Sequence, residues 1–254
     1  MATTRQIKVG PIPVGGSAPV TVQSMTNTDT RDIDSTVDQL LRLQAASCDI
    51  ARLAVPDSEA ADAISKIRPR ITMPLVADIH FDWRLAIASL DAGADALRIN
   101  PGNIGSEVNV RKIVERVREK KVPLRIGVNS GSVEKDLLAK HGFASADALV
   151  ESALRHVQIL ERCGYHEIKI SVKASSVQRT IEAYRKLAGL TDYPLHLGVT
   201  EAGTLLAGSV KSGVALGILL NEGIGDTIRV SLTDDPVNEI KAGLCILRSL
   251  ALRP

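Results

Sequence analysis

Seven segments of this chain place apolar residues at every second position and fill the alternate positions with Arg, Lys, His, Asp or Asn. They cover residues 50–53, 76–80, 97–100, 124–129, 168–173, 195–200 and 228–232. Strand side chains alternate faces, so each segment carries one apolar face and one polar, mostly cationic face. An interior lined in this way points to a bound ligand.

An antiparallel sheet with one wet face would show the same alternation, and the spacing decides between the two. A further, less charged strand at 20–25 precedes the seven, and each interval between strands is long enough for a helix and two loops. Helical periodicity fills those intervals at 33–46, 57–67, 83–92, 108–120, 146–163, 176–187, 210–221 and 237–250. Eight strands alternating with eight helices in 254 residues match a single (β/α)8 unit, typically about 250 residues long. An open doubly wound sheet would need apolar residues on both strand faces. The predicted fold is therefore an α/β TIM barrel, one substrate-binding unit over residues 1–254. Ahead of the first strand, residues 7–16 read as a short hairpin punctuated by Gly10, Pro11, Pro13, Gly15 and Gly16, expected to close the N-terminal end of the barrel.

Composition narrows the function. Hydrophobic residues make up 44% of the chain, yet no run approaches the roughly 18 apolar residues of a membrane span, and no charged-then-apolar leader opens it. This predicts a cytoplasmic chain. Cys48, Cys163 and Cys245 are far apart, in predicted helices or at a helix end, and read as small buried hydrophobes in a reducing compartment; they form no metal site. A net charge of +2 and 2% aromatic residues offer neither a basic stripe nor stacking platforms for nucleic acid.

The positive charge is concentrated on the polar strand face instead. Arg52, Arg98, Arg125, Lys169, Lys173 and Arg229 stand there against two carboxylates, Asp78 and Glu201. Uncompensated buried charge is costly, so an anionic ligand is the simplest partner. The arginine fork suits phosphate oxygens bidentately, and a small multiply charged anion such as a diphosphate would be held from several sides. Lys169 lies one layer deeper than Lys173 and could bridge to Asp78.

TIM-barrel chemistry takes place at the C-terminal strand ends. Those ends carry Asp78 and His80, then Arg98 and Asn100, then Asn129, then Thr200 and Glu201. His80 and Glu201 are the candidate proton-transfer groups at the rim. The turns Pro101–Gly105 and Asn129–Ser132 are expected to bring backbone N–H groups close to a ligand, each ahead of a helix N-terminus. His141, His156 and His166 lie away from the strand tips and read as solvent-facing. His196 reads as a satisfied interior residue.

Six segments, 22–28, 77–82, 97–105, 125–129, 198–203 and 222–231, carry a resemblance. Among them are Ala77-Asp78-Ile79-His80-Phe81-Asp82 and Gly198-Val199-Thr200-Glu201-Ala202-Gly203. From about residue 5 to its end the chain resembles the 4-hydroxy-3-methylbut-2-enyl diphosphate synthases, the iron–sulfur enzymes of the non-mevalonate isoprenoid pathway. The resemblance implies a substrate, 2-C-methyl-D-erythritol 2,4-cyclodiphosphate, whose ring is opened and reductively dehydroxylated with two electrons from ferredoxin or flavodoxin. It assigns diphosphate and hydroxyl contacts to Arg52, His80, Arg98, Asn100, Arg125, Asn129, Lys173, Arg229 and Ser231, with Asp78 among them. Glu201 becomes the residue nearest the reacting carbon, an acid for the departing hydroxyl.

The departure from that family is equally specific. Its members continue into a C-terminal domain in which a Cys-Pro-x-Cys motif, a further Cys and a Glu hold a 4Fe-4S cluster, and bacterial members form homodimers in which one subunit's barrel faces the other's cluster domain. Cys48, Cys163 and Cys245 do not correspond to those ligands. The expectation is a barrel that binds substrate and is inactive without a cluster domain, whether the chain is truncated or a partner supplies the cluster. Two other readings stay open: a cluster-free dihydropteroate synthase-like enzyme acting on an anion through Glu201 and His80, and a diphosphate-binding module without turnover.

Overall fold

Alternating strands separated by helix-length intervals can bury their apolar faces only if helices cover one side of the sheet and the sheet closes on itself. The computed structural model, which describes residues 4–253, has that architecture; residues 1–3 and 254 of the expected 1–254 unit lie outside the described residues. A short antiparallel hairpin, β1 (Ile7–Val9) and β2 (Ile12–Val14), comes first. Eight parallel strands follow: β3 (Thr21–Met25), β4 (Ile50–Ala54), β5 (Leu75–Asp78), β6 (Ala96–Ile99), β7 (Leu124–Asn129), β8 (Ile168–Lys173), β9 (His196–Leu197) and β10 (Thr227–Ile228). Strands β3 to β8 pair in sequence, and β10 pairs with both β3 and β9. A bridge between Ile170 and Leu195 joins β8 to the segment entering β9, which completes the circle.

Helices α1 (Ile33–Ala45), α2 (Ser58–Ile67), α3 (Trp83–Asp91), α4 (Glu107–Lys120), α5 (Lys135–His141), α6 (Ala146–Arg162), α7 (Val177–Ala188), α8 (Leu205–Asn221) and α9 (Pro236–Ser249) surround the strands. Their apolar stripes and the outward strand residues form one core, from Val22 on β3 to Leu247 on α9. Asp57, Asp82, Ser145, Ser176 and Asp235 accept backbone N–H groups at helix starts, so these helices begin where the strand-end loops stop.

The hairpin sits where the sequence puts it. Ile7, Val9 and Val14 are buried against Ile50, Val76 and Ala96, at the N-terminal ends of β4, β5 and β6, and form a floor to the barrel. Gly15, at φ +88°, allows the exit from the hairpin, where a Cβ would fall 2.4 Å from the Arg5 carbonyl oxygen.

Three features differ from the sequence expectation. The last two strands are shorter than 195–200 and 228–232, because beyond β10 the Leu232 N–H turns to the Glu239 carboxylate at 3.0 Å rather than to a neighbouring strand. Helix α8 starts at Leu205 rather than 210 because exposed Leu205, Leu206 and Val210 mask its amphipathic onset. Helix α5 was not anticipated. Of the cysteines, only Cys48 is buried; Cys163 is half-buried and Cys245 is exposed, so the buried reading holds for one of the three. No helix among the described residues is long and apolar enough to cross a membrane.

Candidate active site

Because β4 to β8 are parallel and staggered, their inward polar residues meet in one well at the C-terminal end. The register aligns Ala54 with Asp78, Asp78 with Arg98, Arg98 with Arg125, and Arg125 with Lys169. The well has a volume of about 700 Å³, and its lining includes every residue proposed for the site: Arg52, Asp78, His80, Arg98, Asn100, Arg125, Asn129, Lys173, Glu201, Arg229 and Ser231. Arg52, Asp78, Arg98, Asn100, Arg125 and Lys173 are buried, Asn129, Arg229 and Ser231 half-buried, and His80 and Glu201 exposed at the rim.

The charges divide into neutralised and free groups. Asp78 receives a hydrogen bond from Arg98 Nη1 at 3.0 Å and lies 3.5 Å from Arg52 Nε and from His80 Nε2. Burial alone would raise its pKa, but Arg52, the His80 hydrogen bond and Arg98 outweigh burial and hold the carboxyl well below the usual carboxylate range. Arg52 also leans on the Met25 thioether, with Nη2 at 2.9 Å from Sδ. Burial presses Arg52 down to about 10, against the pull of Asp78 and with the push of Arg229 and Arg98. Arg229 pairs with Glu239 of α9, its Nη2 3.2 Å from Oε1.

Arg125 and Lys173 have no ion pair among the described residues. Arg125 Nη1 lies 3.4 Å from His196 Nε2, and burial with Arg52 and Arg98 lowers its pKa well below the ordinary value. Lys173 is shifted the same way, first by burial and then by Arg125, Arg229, Arg52 and Arg98. Arg98 Nε, Arg125 Nε and Asn100 Nδ2 are buried donors without an acceptor among the described residues. Buried donors in native structures almost always have partners, and these three belong to side chains that line the well.

Two glycines, Gly127 on β7 and Gly198 just after β9, make the crowding possible. A Cβ at Gly127 would fall 2.5 Å from Arg98 Nε, and one at Gly198 would fall 2.7 Å from Lys173 Nζ. Both are places where only glycine leaves room for a cationic side chain.

Several expectations are corrected. Lys169 does not bridge to Asp78; its Nζ bonds the Thr227 hydroxyl of β10 at 3.3 Å, in the layer below the well, because its inward side chain sits a layer deeper than Lys173. Behind the well wall lies a further buried carboxylate, Glu239, paired with Arg229; it arrives from a helix and so escapes any reading of strand alternation. His156 is buried rather than solvent-facing, with Nε2 2.9 Å from Glu134 Oε1. It lies under the turn after β6, where a Cβ at Gly102 would meet Nε2 at 2.6 Å, and the Gly102 N–H is already given to Asn100 Oδ1 at 3.2 Å. That turn is thus fixed by packing, and its Gly102 N–H is not offered to a ligand; the turn after β7 lines the well through Ser130, Gly131 and Ser132. His196 is buried, but its Nδ1 has no hydrogen-bond partner among the described residues, so it is not fully satisfied.

Glu201 stands at φ +49°, in the left-handed region that non-glycine residues rarely enter. Strain of this kind concentrates at functional positions. The Leu232 bridge to Gly203, and the hydrogen bond from Thr233 N to the Gly203 carbonyl at 2.9 Å, hold the turn that carries it.

The buried cations predict a pH dependence. Burial and Arg125 lower Lys169 to about 7 against the attraction of Asp226, while the unfolded chain keeps the ordinary value of 10.5. Between those values the unfolded state holds the extra proton, so stability rises as pH climbs from about 7 to 10.5. Lys169→Met should flatten that rise and stabilise the protein near neutral pH by about 1–4 kcal/mol, the range for replacing buried charge by an isosteric apolar group. Urea unfolding at a series of pH values checks it; a variant that keeps the slope would place the titration elsewhere.

The GcpE TIM-barrel domain model matches residues 4–244. The 4-hydroxy-3-methylbut-2-en-1-yl diphosphate synthase (flavodoxin) of Desulfotalea psychrophila is 59% identical over 254 residues, covering 99% of this chain and 70% of that protein. The synthase of the same name from Clostridium tetani is 59% identical over 249 residues, covering 98% of this chain and 71% of that protein. Among solved structures, Yersinia pestis dihydropteroate synthase superposes with a TM-score of 0.66 at 12% identity, covering 97% of this chain and 98% of that one. At that identity the likeness concerns the fold alone. With the family model matched over most of its length and close relatives matched over nearly all of it, the chain belongs to the GcpE family, the 4-hydroxy-3-methylbut-2-en-1-yl diphosphate synthases.

Proposed function

We propose that residues 1–254 are the substrate-binding barrel of such a synthase, and that the well holds 2-C-methyl-D-erythritol 2,4-cyclodiphosphate by its diphosphate. One observation carries this reading: Arg125 and Lys173 are buried at the well without carboxylate partners among the described residues, beside donors of Arg98 and Asn100 that find no acceptor there. A diphosphate supplies the negative charge and the acceptor oxygens those groups lack. Arg52 and Arg98, both anchored by Asp78, and Arg229, anchored by Glu239, hold fixed positions around it, and Asn129, Ser231 and His80 face the hydroxyl-bearing carbons. Glu201, at the mouth and on a strained turn, donates the proton with which the departing hydroxyl leaves as water.

The reaction is a reduction, and its electrons come from a 4Fe-4S cluster in the family. The residues of this chain do not fit that group. A cluster of this type needs several convergent ligands, mostly Cys thiolates, whereas Cys48, Cys163 and Cys245 lie on separate elements. Among the described residues no three His, Cys, Asp or Glu side chains could share a metal ion. On this reading the cluster ligands lie in the part of the relatives that the chain does not span, the enzyme works in the cytoplasm as a homodimer, and flavodoxin or ferredoxin delivers the electrons.

Calorimetric titration with the cyclodiphosphate tests the proposal. One molecule should bind per chain, with affinity falling as salt is raised because the contact is electrostatic. Absence of binding by both the cyclodiphosphate and inorganic diphosphate would overturn it.

A further inference from the structure

The anion site leans on a residue that never reaches the well. Glu239 is on α9, outside the barrel wall, yet its side chain is 3% exposed. Its two oxygens accept four hydrogen bonds. Oε1 takes Arg229 Nη2 at 3.2 Å and the Leu232 N–H at 3.0 Å; Oε2 takes the Ser24 hydroxyl at 2.7 Å and Arg229 Nε at 3.3 Å. This is a bidentate grip on a guanidinium whose free side lines the well.

The same carboxylate reaches the other half of the site through the backbone. Leu232, whose N–H it holds, forms the bridge with Gly203, and the adjacent Thr233 N–H bonds the Gly203 carbonyl. Gly203 lies in the turn that keeps Glu201 in its left-handed conformation. Packing locks the connection from the other side: a Cβ on Gly208, at the start of α8, would meet Leu232 Cδ2 at 2.5 Å and the Gly203 oxygen at 3.0 Å.

We propose that Glu239 is a positioning residue for both functions of the site. It orients Arg229 toward the anion and, through Leu232 and Gly203, sets the height of Glu201 over the well. Arg229 alone faces Lys173 and Arg52, which repel it. Glu239 keeps it on the wall, pointed inward, so that it need not be reoriented when the ligand arrives. Ser24 of β3 supplies the fourth hydrogen bond and ties the carboxylate to the strand beside β10.

The proposal rests on the diphosphate reading of the well, and the test separates the two. Full-length, cluster-loaded enzyme is compared as wild type, Glu239→Gln, Arg229→Lys and the double variant, titrated with the cyclodiphosphate and, separately, with inorganic diphosphate. Glutamine keeps the size but loses the charge and one acceptor. Glu239→Gln should weaken both ligands about tenfold, the scale of one charged hydrogen bond, and the double variant should bind no more weakly than Arg229→Lys alone, since Glu239 acts on the anion through Arg229. Turnover at saturating substrate should also fall in Glu239→Gln, while in Arg229→Lys the loss should lie chiefly in KM. Ser24→Ala, which removes a hydrogen bond to the same carboxylate without touching its grip on Arg229, should leave affinity within about twofold and reports the effect of loosening the fold alone. Unchanged affinity in Glu239→Gln, or additive losses in the double variant, would overturn the positioning role. Wild-type binding of inorganic diphosphate but not the cyclodiphosphate would overturn the substrate reading and leave the Arg229 coupling still measurable. Binding of neither would overturn both.

Discussion

Arg125→Met is expected to weaken cyclodiphosphate binding by about 1.5–3 kcal/mol, the range for a hydrogen bond to a charged group, while leaving the ligand-free protein at least as stable as before. The two signs have one origin. Arg125 is buried beside Arg52 and Arg98 with its Nη1 3.4 Å from His196 Nε2, and among the described residues no carboxylate lies within ion-pair distance to oppose its charge. Removing an unpaired buried charge relieves desolvation and repulsion together. Arg98→Met supplies the contrast. Arg98 donates to Asp78 and, at 3.1 Å, to the Gly127 carbonyl, so its loss strips a buried carboxylate of a partner and should lower stability as well as affinity. Thermal unfolding and calorimetry on both variants read the difference. If Arg125→Met destabilised the protein and left affinity unchanged, Arg125 would be structural and the anion would sit elsewhere.

The second large effect belongs to Glu201. Glu201→Gln should lower turnover of the full-length enzyme by about 10²-fold or more, the scale of general acid catalysis, with little change in substrate affinity. The side chain is exposed at the mouth, carries no ion pair among the described residues, and is held in place by its turn rather than by its own contacts. An amide of the same shape therefore keeps the architecture and loses the proton. Single-turnover measurements alongside equilibrium binding distinguish the outcomes. Normal turnover with much weaker binding would make Glu201 a ligand contact and remove it from the chemistry.

The barrel was legible because its strands carry their function on one face. Arg98 and Arg125 alternate with Leu97, Ile99, Leu124 and Ile126, and the period reports both the fold and the site at once. The hairpin was legible from Gly and Pro placement alone. What escaped reading came from outside the alternation. Glu239 looks in sequence like a helix-surface carboxylate, and only the barrel's closure brings α9 behind β10. His156 looks like a helix-surface imidazole, and only the loop after β6 buries it. Gly127 and Gly198 are silent in a single sequence, since the space each leaves is filled by side chains from neighbouring strands. Helix α8 misled because its start is apolar on exposed as well as buried positions.

The hairpin floor has a kinetic consequence. With Ile7, Val9 and Val14 sealing the N-terminal end, substrate and product use the C-terminal opening in turn, and a spent molecule must depart before a fresh one enters. Product should therefore inhibit strictly in competition with substrate, and whatever body lies over that opening times arrival and departure alike.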